Sequence, residues 1–79
     1  MEILIKKIIS NITYIDASII SNKTKFRDLG FDNIDMAELI LVLEEKLELT
    51  ATVNMYNAKT IAELIEQIEE LNNINKLNF

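Results

Sequence analysis

The side chains that most often do chemistry are scarce in this sequence. It has no histidine and no cysteine. That removes the usual general base, the commonest metal ligand, the thiolate nucleophile and the disulfide. Ser10, Ser18 and Ser21 are its only serines. Thirteen carboxylates stand against eight cations, a formal net charge of −5. Carboxylates can work as acid–base pairs, yet none here is tied by spacing to a nucleophile or a phosphate cradle. An enzyme in its own right is not expected, and no metal site is expected either. The chemistry that remains is recognition of one charged surface by another.

The charge is unevenly placed. Residues 1–27 hold five basic and two acidic side chains, whereas residues 28–48 hold seven acidic and one basic. A solvated helix face would explain this pattern. A docking surface for basic partners would explain it too, with electrostatics setting encounter rate and register. The acidic balance argues against nucleic acid, whose phosphates must be neutralised by Lys and Arg. No apolar run approaches the roughly 20 residues that span a bilayer. The opening MEILIKKII carries its lysines inside the apolar pattern and no small-residue cleavage site follows. No signal peptide is expected, and the expected location is the cytoplasm.

Three stretches have the apolar period that would position these charges on helices. In residues 2–14, Ile5, Ile8, Ile9 and Ile12 recur at helical spacing. From about Asn33 to Leu47 the stripe is Met36, Leu39, Ile40, Leu43 and Leu47. In residues 60–72 it is Ile61, Leu64, Ile65, Ile68 and Leu71, and Thr60 with Glu63 forms a capping-box signature. Leu39 and Leu43 are expected to pack against Ile61, Leu64 or Ile68. The segment 49–59 reads as a loop with one short helical turn. Residues 15–32 read as a long connection holding the only glycine, Gly30, and there is no proline. Enough β-branched residues fall in 3–20 to keep a strand there as an alternative. The expectation is one all-α domain over residues 1–79, a bundle of three main amphipathic helices plus one short helix. At 79 residues and 49% hydrophobic composition, it must hold without staples on a small core.

Residues 25–47, KFRDLGFDNIDMAELILVLEEKL, resemble the heart of an acyl carrier protein. In that family a Leu-Gly-x-Asp-Ser-Leu stretch opens the second helix, and an acidic-apolar pattern ending in Leu-Glu-Glu follows. Leu29, Gly30, Asp32, Asp35, Glu38, Leu39, Leu43, Glu44 and Glu45 match, and Ile34 replaces a leucine. Residues 2–14 and 59–68 resemble the family's first and last helices.

The resemblance implies a carrier of 4′-phosphopantetheine, joined through a phosphodiester to the motif serine. Here that position is Asn33, whose carboxamide nitrogen is delocalised and cannot form the ester. No cofactor is therefore expected on this chain. As a structural residue, Asn33 would serve well as a helix N-cap, and so would Asp32. The resemblance further implies partner docking through Asp32, Ile34, Asp35, Glu38, Leu41, Glu44 and Glu45. The partners would be acyl-transferring synthases or ligases with basic patches, of fatty-acid or polyketide type, meeting a monomeric chain. The chain then reads as a silent paralogue or a mutated carrier. A scaffold or regulatory interaction module with the same fold is the alternative.

Gly30 is expected to turn the chain at positive φ and to leave partners room near position 33. The apolar residues of the second and last helices read as core, which in this family also opens to shelter an acyl chain. Tyr14, Phe26, Phe31, Tyr56 and Phe79 are too scattered along the chain for a stacking platform.

Overall fold

The structure is a computed structural model that describes residues 1–77, with side chains described through residue 72. Helix α1 runs Glu2–Thr13 and turns Ile5, Ile8 and Ile9 into the core. The helical period, rather than β-propensity, decides this segment, because burial of one stripe outweighs the mild χ1 cost of isoleucine in a helix. Lys6 pairs with Glu2 one turn earlier at 3.3 Å. The helix stops at Tyr14, which sits in the left-handed region at φ 63° and donates its N–H to Ser10 O at 2.8 Å.

The connection that follows is more structured than its sequence suggests. It contains two short 3-10 turns, Ala17–Ile19 and Phe26–Leu29. The Asp16 carboxylate accepts the Ser18 N–H at 2.9 Å and starts the first turn. Ile20 and Phe26 are both buried, so the connection contributes core of its own. It is also fastened to residues 59–62. The Phe26 N–H donates to Lys59 O at 3.0 Å and the Ala62 N–H to Asn22 O at 2.9 Å, around an isolated antiparallel bridge between Lys25 and Thr60.

Helix α2 runs Asn33–Leu47, α3 runs Val53–Tyr56 and α4 runs Ile61–Leu77. Thr52 caps α3 by accepting the Met55 N–H, and Met55 is fully buried. At the start of α4, Thr60 Oγ1 accepts the Glu63 N–H at 3.1 Å. Glu63 reaches one residue further back than expected and accepts the Lys59 N–H at 2.7 Å. Helix α4 continues five residues past the expected end at 72, because neither glycine nor proline interrupts it.

Leu39, Leu43, Ile61, Leu64 and Ile68 are all fully buried in one cluster with Ile5, Ile9 and Ile40. The expected register of α2 and α4 therefore holds. The closest helix approaches, however, are α1–α2, α2–α3, α3–α4 and α1–α4. The α2 and α4 stripes share the core, with α1 and α3 making the closer backbone approaches to each. The molecule is an all-α bundle of three main helices and one short one, with no strand among the described residues.

Candidate functional site

The acidic pattern reaches the surface at the start of α2. The 3-10 turn at Phe26–Leu29 ends on Gly30 at φ 78°, where its N–H returns to Arg27 O at 3.1 Å. A β-carbon added at Gly30 would meet nothing within 4 Å. The left-handed backbone, not crowding within the chain, is what calls for glycine. Phe31 then folds back onto Phe26, with ring centroids 5.5 Å apart.

Asp32 is the N-cap of α2. Its Oδ1 accepts the Asp35 N–H at 2.8 Å, and Asp35 Oδ2 accepts the Asp32 N–H at 3.3 Å. This reciprocal box satisfies donors that the helix itself leaves orphaned, and both carboxylates lie at the positive end of the helix dipole. Asn33 is therefore not the cap. It is the first helical residue, exposed, with its side chain directed outside the core.

The remaining expected docking residues divide into two groups. Ile34, Glu38, Leu41 and Glu45 are exposed, and their steps of four, three and four place them along one flank of α2. Ile34 is 76% exposed and Leu41 56%, so this flank alternates apolar and acidic side chains. Asp35 and Glu44 are half-buried and engaged inside the chain. Asp35 closes the capping box, while Glu44 Oε2 accepts the Ala51 N–H at 3.0 Å and ties the α2–α3 loop to the helix. Linear spacing shows which residues share a flank but not which carboxylates are already occupied.

A small cleft of about 140 Å³ opens beside Asn33, lined also by Phe26, Phe31, Met36 and Tyr56. Three aromatic side chains thus converge where the sequence made them look dispersed. Their separations of 5 and 25 residues carry no helical or strand period, and only the fold brings them together. Tyr14 stands apart and 93% exposed, and Phe79 lies outside the described residues.

The family model for the phosphopantetheine attachment site matches residues 4–68. The chain belongs to this family. The expected resemblance to acyl carrier proteins is borne out, and a carrier-protein fold and general carrier-type function follow from it. Domains of this family are in general not catalysts in their own right. No curated protein matches the chain. The family's group is 4′-phosphopantetheine, whose phosphodiester requires an alcohol oxygen. No residue from Phe31 to Asp35 has one, and the one hydroxyl lining the adjacent cleft is the phenol of Tyr56. Among the described residues no helix is long and apolar enough to cross a membrane, and no carboxylate cluster could hold a metal ion.

Proposed function

We propose that this chain is a single-domain carrier-type protein that docks on acyl-transferring synthase or ligase enzymes without carrying the 4′-phosphopantetheine arm at position 33. The observation that carries this reading is the exposed flank Ile34–Glu38–Leu41–Glu45 beside an Asn33 that has no hydroxyl. Apolar side chains supply contact area on such a flank, and the carboxylates steer a basic partner and set its register. Asp32, next to Asn33, adds to the same field. Glu44 and Asp35 contribute charge from positions held by internal hydrogen bonds. The setting is the cytoplasm, in fatty-acid or polyketide-type synthesis, with the chain monomeric between encounters.

The capping geometry supports the same reading. Because Asp32 and Asp35 cap α2, the residue at 33 is free of any structural duty there. Asparagine in place of serine leaves the docking helix intact and removes the ester bond. A scaffold or regulatory module that displaces a loaded carrier from the same partner is favoured by the same two facts.

Intact-mass measurement after incubation with coenzyme A and a broad-specificity phosphopantetheinyl transferase tests this. The chain as it stands should keep its unmodified mass, and Asn33→Ser should gain one phosphopantetheine. Modification of the unaltered chain, mapped to Tyr56 or any other hydroxyl, would reject the proposal. An Asn33→Ser variant that folds but stays unmodified would show that the attachment position has been misplaced.

A further inference from the structure

A second cavity, of about 390 Å³, lies on the other side of Phe26 and is lined by Lys25, Phe26, Arg27, Ala58 and Lys59. Three of the eight cations of a net-acidic chain thus meet around one opening. They come from segments more than thirty residues apart, held together by the Lys25–Thr60 bridge and the Phe26 N–H to Lys59 O bond. Neither lysine has a carboxylate partner among the described residues. Arg27 has only Asp28, at 3.9 Å and with both side chains largely exposed. Such a pair contributes little and is easily exchanged for a stronger anion. Glu63 is occupied with the Lys59 backbone N–H, and Asp32, which lines the adjoining cleft, is held in the α2 capping box.

The floor of this cavity is apolar. Phe26 is 5% exposed and Ala58 is half-buried. Both residues also line the cleft beside Asn33. The Phe26–Ala58 ridge separates this cationic mouth from the cleft that Asp32 and Asn33 line.

We propose that this cavity binds, without a covalent bond, a phosphomonoester with an apolar tail. A phosphomonoester carries about −1.5 to −2 charges near neutral pH and three acceptor oxygens, which suits three cations better than a single carboxylate does. The Arg27 guanidinium offers paired N–H donors to two of those oxygens, and Lys25 and Lys59 supply point charges from the flanks. The tail lies on the apolar floor formed by Phe26 and Ala58. This proposal does not depend on how position 33 is read, and the two can fail separately.

Octyl phosphate serves as the probe, followed through the backbone amide resonances of the whole chain. Octyl glucoside and inorganic phosphate are run beside it to separate tail from head. Saturable shifts at residues 25–27, 58 and 59 are expected, with octyl phosphate at least tenfold tighter than either comparison ligand. Arg27→Gln with Lys59→Gln should weaken binding at least tenfold and leave the thermal midpoint almost unchanged, since both side chains are exposed. Arg27→Gln alone gives the same comparison, at smaller amplitude, if the double variant loses its fold. The proposal is overturned by an absence of shifts at these residues, by octyl glucoside or inorganic phosphate binding as tightly, or by a folded variant that keeps its affinity.

Discussion

Asp32 and Asn33 are adjacent in sequence and opposite in what the fold asks of them. Asp32 is committed to the helix through the Asp35 N–H, while Asn33 faces solvent as the first helical residue. Core residues show the complementary extreme. Leu43 is fully buried, so Leu43→Ala should cost about 2–5 kcal/mol. A domain of this size has only about 5–15 kcal/mol to lose. Chemical denaturation of the variant, with an unchanged slope, measures it. A cost under 1 kcal/mol would mean that the site collapses around the smaller side chain. At this scale the sequence was legible wherever period and chemistry coincide: the stripes of α2 and α4, and the missing hydroxyl at 33. It was silent on which of two neighbouring capping residues is used, because Asp and Asn are nearly equivalent caps and only the backbone path separates them.

Two α-helices end on residues poorly suited to the conformation they adopt. Tyr14 and Glu48 both occupy the left-handed region, at φ 63° and 51°, a role glycine usually fills. The lack of these glycines is why helix ends were harder to place than helix interiors. Tyr14 is almost fully exposed, so Tyr14→Gly removes strain without removing packing. It should stabilise the protein by about 1 kcal/mol, read as a rise in the thermal midpoint. A fall would show that the tyrosine ring has contacts that matter. At the other end of α1, the Asn22 side chain, and then Lys6, hold the Glu2 carboxyl below its ordinary value. A depressed acid contributes stability above its unfolded pKa and loses it as pH falls through the folded one. Glu2→Gln should therefore lower the midpoint at neutral pH and match the unaltered chain in acid. Parallel curves at every pH would detach Glu2 from stability.

Across the whole molecule the charge runs from a basic first third to an acidic α2. Under the proposed docking, Glu38→Lys with Glu45→Lys should slow association with a basic synthase-type partner and flatten its salt dependence. Both side chains are exposed, so the fold should survive. Stopped-flow association at several ionic strengths is the measurement. Lys6 is unsuitable for the control because it pairs with Glu2 at 3.3 Å; Lys7→Glu with Lys23→Glu, both exposed, reverses two charges away from α2, a change of equal size and opposite sign. Equal slowing by the two pairs would sink the docking face. The global charge pattern was visible in the sequence. The basic cavity was not, because Lys25 and Arg27 meet Lys59 only after the connection closes on the start of α4.

That closure also governs how the protein opens. The Phe26 and Ala62 amides are held by bonds to Lys59 O and Asn22 O, across the join between the connection and the start of α4. If the latch parts only when α4 leaves, the two amides exchange at one common rate, the signature of a cooperative unit.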